Sequence, residues 1–308
     1  MKRPIILVFA VLTLLYSCNT KSEYSDWRGP NRDGIFLESG LLKQWPPEGP
    51  ALLWSFEDLG YGHTGVAATG DRIYVTGIRD SAQSLGTFFV FDTGGNLLLE
   101  KDYGKDFTNN FIGTRATPVV VDEMVYIDSG AGAVYCLEAS TGEEVWSKDF
   151  IQDFGADSAI QFGYSESVLI DGDQLICVPG GKEHNVVSLN RFTGEKIWSS
   201  TGNGEQATYN SPILVERGEQ RLVIAMTSGS IMGIDADTGE MYWQVEQTQR
   251  NKIHANTPLY YDGRLLVSSA DPTSTSGLVQ LELAEDGKQA QVVWRDRKFR
   301  NLLGGLVR

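Results

Sequence analysis

One short pattern recurs along the chain and limits what it can fold into. Thr141-Gly142-Glu143-Glu144-Val145-Trp146 returns as Thr193-Gly194-Glu195-Lys196-Ile197-Trp198 and as Thr238-Gly239-Glu240-Met241-Tyr242-Trp243. A degenerate copy, Thr93-Gly94-Gly95-Asn96-Leu97-Leu98, has Leu98 in the tryptophan position, and a lengthened one runs from Asp286-Gly287 to Trp294. Their glycines are 48, 52, 45 and 48 residues apart. A repeat of this length is one supersecondary unit that cannot bury its apolar surface alone and must stack on its neighbours.

The residues inside one period say which unit. Thr117 to Val121 is a short apolar run, Asp122-Glu123 a turn, and Met124 to Ile127 β-branched and aromatic. After the flexible Ser129-Gly130-Ala131-Gly132, Ala133 to Leu137 reads as a third strand; Glu144 to Trp146 opens a fourth beyond the Ser140-Thr141-Gly142 turn. Short strands with glycine-bearing turns about every 8 to 12 residues predict an all-β meander. No later stretch keeps a helical apolar period, so helices should be few. Gly142, Gly194 and Gly239 suit a turn needing positive φ. Trp146, Trp198 and Trp243 are predicted to bury their large rings where successive units meet.

These residues resemble the PQQ-like (quinoprotein-type) β-propeller repeat, which runs apolar strand, Asp-Gly turn, Val-Tyr strand, Gly loop, Leu-x-Ala-x-Thr-Gly-x-x-x-Trp. The resemblance covers about residues 51 to 308 and implies a β-propeller of four-stranded antiparallel blades. Five complete repeats fall near 61–102, 113–150, 163–200, 207–247 and 254–297. Pro46 to Trp54 reads as an isolated fourth strand, and Asn301 to Arg308 as the first strand of another blade. An open ring leaves edges unpaired, and the family often has seven or eight blades. The expectation is therefore a C-terminally truncated ring. Asp26-Trp27-Arg28-Gly29-Pro30-Asn31-Arg32-Asp33-Gly34 resembles an opening found in many exported bacterial PQQ-like propellers of unassigned function. The plainer reading is a Pro/Gly-rich linker docked against the ring.

The first residues bear on the compartment. Lys2 and Arg3 precede the uncharged apolar run Ile5 to Tyr16, which suits a signal peptide and falls short of the roughly 20 residues of a membrane span. Leu15-Tyr16-Ser17-Cys18 resembles a bacterial lipobox; Tyr16 is atypical, so a plain secretory signal stays open. The domain division is a signal peptide over 1–17, a linker over 18–45 and a propeller over 46–308. An exported chain is expected in the periplasm or at the outer membrane, held by lipid on Cys18 alone. The net charge of −14 argues against nucleic acid as a partner. Cys136 and Cys177 sit in apolar runs and read as buried thiols, with a disulfide between neighbouring repeats as the alternative.

The resemblance also names a chemistry: a quinone over a tryptophan floor, beneath a vicinal Cys-Cys disulfide, with Ca²⁺ on Glu, Asn and Asp and an Asp base. Here Cys136 and Cys177 are far apart in sequence, and Asp235-Ala236-Asp237 belongs to the repeat's own turn rather than a calcium loop. His63, His184 and His254 lack metal-ligand spacing. Gly130-Ala131-Gly132 and Gly202-Asn203-Gly204 do not lead into helices, and Ser165 and Ser167 lack a nucleophile elbow. No catalytic residue, metal or cofactor is predicted; PQQ with calcium enters only under the alternative.

Long connections on a rigid scaffold tend to carry binding. The segments 79–86, 102–115, 148–164, 248–255 and 270–277 should share one face, with the short turns opposite. His63, Thr64, Arg115, Ser165, Glu166, Tyr209, Asn210, His254 and Asn256 are expected to ring the channel mouth on the long-loop face. The reading is a non-catalytic, monomeric envelope scaffold for a protein partner. It is similar in fold to the propeller lipoprotein of the outer-membrane β-barrel assembly machinery. The alternatives are a quinoprotein oxidoreductase or a subunit of one, a carbohydrate- or peptide-binding propeller, and a hydrated mouth without a ligand.

Overall fold

The computed structural model describes residues 24–29, 32–157, 160–270 and 275–307. The signal peptide over 1–17, Cys18, and Pro30 and Asn31 of the linker motif lie outside the described residues.

An all-β propeller results. A two-residue strand, β1 (Tyr24–Ser25), precedes the first blade: β2 (Ala67–Thr69), β3 (Arg72–Gly77), β4 (Leu85–Asp92) and β5 (Leu97–Lys105). The second holds β6 (Val119–Val121), β7 (Met124–Ser129), β8 (Ala133–Glu138) and β9 (Glu144–Asp149), followed by the five-residue helix α1 (Phe150–Phe154). The third holds β10 (Leu169–Asp171), β11 (Gln174–Cys177), β12 (Val186–Asn190) and β13 (Lys196–Ser200). The fourth holds β14 (Ile213–Arg217), β15 (Gln220–Met226), β16 (Ser230–Asp235) and β17 (Met241–Glu246). The fifth holds β18 (Leu259–Tyr261), β19 (Arg264–Ser269), β20 (Gly277–Leu283) and β21 (Ala290–Asp296). Each blade is an antiparallel meander, and β1 adds a fifth strand to the inner edge of the second.

The repeat's tryptophan joins one blade to the next. The Trp146 indole packs on Gly194, and its Nε1 donates to the Arg191 carbonyl at 2.9 Å. Trp198 packs on Gly239 and donates to Ala236 O at 2.9 Å; Trp243 donates to Gly287 O at 3.0 Å. Gly142, Gly194 and Gly239 all have positive φ, so the turn needs glycine for its conformation, and at Gly194 and Gly239 also for the ring lying on it. Directly before each tryptophan a bulge breaks the pairing of the third and fourth strands, as between Cys136 and Leu137.

That register corrects the degenerate copy. In the first blade the positive-φ glycine is Gly95, and the bulge leaves Val90 opposite Leu99. Leu99 therefore takes the tryptophan position and packs near Gly142, whereas Leu98 is 52% exposed. Two terminal expectations also fail. Residues 46–54 form no strand, because no neighbouring strand pairs with them. Trp54 nonetheless docks as the other tryptophans do, against Gly95 with Nε1 donating to Thr93 O at 3.0 Å. Residues 301–307 form no strand either.

The core lies between blades. Val119, Tyr126, Val134 and Trp146 meet Leu175, Val187 and Leu189 between the second and third, and Ile224 and Trp243 meet Leu265 and Val279 between the fourth and fifth. Cys136 and Cys177 lie in the first of these clusters as free, buried thiols. Burial pushes Cys136 up to about 12 and Cys177 well above the ordinary thiol range. Among the described residues no helix is long and apolar enough to cross a membrane.

Candidate functional site

The inner edges of all five blades converge on one cup of about 220 Å³. Its wall is two tiers of residues at fixed offsets from the inner strands. Four residues before them stand His63, Arg115, Ser165, Tyr209 and Ala255; two before stand Gly65, Thr117, Ser167, Ser211 and Thr257. This is period-two alternation in extended chain. The lower-tier hydroxyls stitch blades together: Thr117 Oγ1 accepts from Gly65 N at 3.0 Å, and Ser211 Oγ from Ser167 N at 2.9 Å.

Of the nine residues expected at the mouth, His63, Arg115, Ser165 and Tyr209 line it. The others are corrected by the same alternation. Thr64 turns sideways and donates to Ala116 O at 2.7 Å. Glu166 is buried, with Oε1 accepting from Val178 N at 2.8 Å. Asn210 donates to Thr208 Oγ1 at 2.5 Å and Asn256 to Asn301 O at 2.9 Å, both buried. His254 is buried between the fourth and fifth blades, and desolvation lowers its pKa to about 4. The lower tier was missed; counting in twos from each predicted inner strand would have found it.

The floor comes from the N-terminal arm. Ser25 pairs opposite Val120 and its Oγ accepts from Ala68 N at 3.0 Å, so the arm enters between the first two blades. Trp27 then lines the cup, 41% exposed. Arg32 and Asp26, both buried, form an ion pair at 2.6 Å. The Arg32 guanidinium also donates to Ser167 O at 3.1 Å, Pro212 O at 2.8 Å and Val168 O. Arg28 donates to Arg32 O at 3.0 Å and Leu306 O at 2.7 Å. Residues 24–29 and 32–34 are thus seated against the inner strands of the ring.

Aromatic rings rise on one side of the cup. Phe111 and Phe162 stand 6.0 Å apart, as do Phe162 and Tyr209, and Phe111 is 72% exposed. Arg115 fixes this arc from below. Its guanidinium donates to the carbonyls of Phe162, Gly113 (3.1 Å), Asn110 (3.0 Å) and Phe111 (2.9 Å), and lies 4.5 Å from the Phe107 ring. Arg115 is thereby a brace for two loops. A second cavity of about 590 Å³ lies in the third blade among Asp153, Phe154, Lys182, His184 and Gln206.

The family model described as outer membrane protein assembly factor BamB matches residues 40–299. The chain belongs to this family. The BamB of Burkholderia pseudomallei is 28% identical over 173 residues, 54% of this chain and 39% of its own length. The crystal structure of BamB from Moraxella catarrhalis superposes with a TM-score of 0.51 at 17% identity, over 83% of this chain and 66% of that one. Quinohemoprotein alcohol dehydrogenase from Comamonas testosteroni superposes at 0.54 with 16% identity, over 82% of this chain and 44% of that one. The chain spans less than half the length of the curated relatives it matches.

The described residues offer no vicinal cysteine pair of the kind the resemblance implies over a quinone. Cys136 and Cys177 lie on different blades inside an apolar cluster. The buried Asp26–Arg32 pair sits where Arg32 meets the Ser167, Val168 and Pro212 carbonyls.

Proposed function

We propose that this chain is a non-catalytic envelope scaffold that binds a protein partner at the channel mouth. One observation carries the reading: Trp27, Phe111, Phe162 and Tyr209 form an aromatic surface around a cup, braced by Arg115. Aromatic rings held rigid on loops are what protein interfaces use as anchors, since they bury large area with little entropy to lose. Membership of a family described by outer-membrane protein assembly supports an exported chain acting beside other envelope proteins. Lipid on Cys18 would hold it as a monomer at the periplasmic side of the outer membrane.

A quinoprotein oxidoreductase is the second reading, favoured by the likeness in fold to quinohemoprotein alcohol dehydrogenase and disfavoured by Cys136 and Cys177 lying on different blades. Cross-linking from detergent-solubilised envelopes, with the wild-type chain and a Phe111→Ser, Tyr209→Ala variant, tests the first. Retention of the same partners by the variant would sink the mouth as the binding surface. Saturable PQQ and Ca²⁺ binding with dye reduction would overturn the scaffold itself.

A further inference from the structure

We propose that the arm fixes which face of the propeller meets a membrane: the short-turn face lies toward the lipid, and the mouth with its aromatic arc points away. This rests on the lipid-anchor reading of Cys18; the geometry comes from the arm. β6 runs from the mouth, where Thr117 lines the cup, to the Asp122–Glu123 turn on the opposite face. Tyr24 pairs antiparallel with Val121, and Ser25 with Val120. The arm therefore runs against β6, with Tyr24 at the short-turn end and Trp27 at the mouth. Tyr24, the first described residue, thus stands at the short-turn end of the innermost strand of the second blade.

The tether is too short for any other arrangement. Cys18 precedes Tyr24 by six peptide steps, a reach of at most about 20 Å at roughly 3.5 Å per residue. From β1 outward to β9 there are four strand spacings, or about 19 Å at about 4.8 Å each. An edge-on blade would consume the whole tether. Turning the mouth to the membrane adds a blade's height, about 20 Å for a six-residue strand at about 3.3 Å per residue. Only the short-turn face is reached with length to spare.

The face itself is acidic. Its turns carry Asp122, Glu123, Asp171, Asp173 and Asp262; Asp122 is paired with Arg191 and Asp171 with Arg221. Tethered beside an anionic bilayer it should stand off, and sit closer to a zwitterionic one.

A fluorescent non-natural amino acid at the position of Glu219 on the short-turn face, or of Asn109 on the long-loop face, reads this directly. Both positions are exposed. The lipoprotein is reconstituted in phosphatidylcholine–phosphatidylethanolamine vesicles carrying a headgroup quencher. Quenching at the Glu219 position with loss of quenching at the Asn109 position is expected; equal or reversed quenching overturns the orientation. The same pair of probes is repeated on the full chain coupled through Cys18 to a maleimide lipid, Cys136 and Cys177 being buried. Mass spectrometry of the natural N-terminus tests the lipid-anchor reading separately. An unmodified terminus defeats that reading, while the coupled chain still decides the orientation.

Discussion

The Trp146 indole lies on the backbone of Gly194 in the next blade, so closely that a Cβ there would stand 2.8 Å from the ring. Gly194 has φ +70°, so alanine meets both backbone strain and the indole. Gly194→Ala should cost about 1–3 kcal/mol, and Trp146→Ala about 3–5 kcal/mol for the emptied space. Urea unfolding measures both. A Gly194→Ala midpoint equal to wild type would refute the blade-to-blade contact.

The register of the first blade makes a sharper distinction between adjacent leucines. Leu99 packs against the turn at Gly142, while Leu98 faces solvent. Leu99→Ala should lower stability by about 1–2 kcal/mol, and Leu98→Ala should stay within about 0.5 kcal/mol of wild type. The reverse order in thermal unfolding would restore Leu98 to the tryptophan position.

Buried carboxyls set the pH response. Desolvation raises Glu166 to about 8, against hydrogen bonding from Val178 and the nearby Arg32 charge. It also raises Asp128 well above the carboxylate range, reinforced by Glu166 and Asp106. A raised acid contributes stability that is full below its unfolded pKa and lost as pH rises through the folded one. His254, lowered by burial to about 4, acts oppositely: its contribution is lost as pH falls from about 6.5. Between roughly pH 6.5 and 8 only the carboxyls act, so the melting temperature should decline as pH rises. Glu166 contributes up to about 1.4 kcal/mol per pH unit, and Asp128 acts in the same direction. Glu166→Gln should make the decline shallower, and adding Asp128→Asn should flatten it. An unchanged slope in the double variant would exclude these groups as its source.

What was legible in the sequence was what is local. A positive-φ glycine four residues before a tryptophan is a complete instruction for one turn and one contact, so the blades could be placed from Gly142, Gly194 and Gly239. The mouth was half legible. Arg115 and Tyr209 were found, but treating Asn210 and Asn256 as their equals ignored the alternation that buries every second residue of an extended segment. The arm reads in the sequence as a linker docked against the ring, but where it docks is not legible, because its partners leave no pattern. Arg32 binds the carbonyls of Ser167, Val168 and Pro212, and every residue has a carbonyl. Leu98 was misread because an inserted glycine moved the turn by one residue, and only the bulge register reveals that shift.

Arg32 gives the clearest test of the arm. Its planar guanidinium serves Asp26 and three carbonyls at once, a geometry a lysine ammonium cannot reproduce. Arg32→Ala removes the ion-pair partner of buried Asp26 and leaves it the Arg28 N–H and the nearby Arg28 charge, which costs up to about 3–5 kcal/mol. Arg32→Lys should recover only part of that. Release of the arm should precede global unfolding, because the blade interfaces are built from other residues. Limited proteolysis should then cut near residues 24–34 in Arg32→Ala while the blades stay resistant, and the Trp27 environment should become more exposed. If Asp26→Asn, Arg32→Met together restore protease resistance, the pair itself is dispensable and the three carbonyl contacts are not what holds the arm. If Arg32→Ala alone leaves the arm as resistant as wild type, the arm is not seated against the ring by this residue at all.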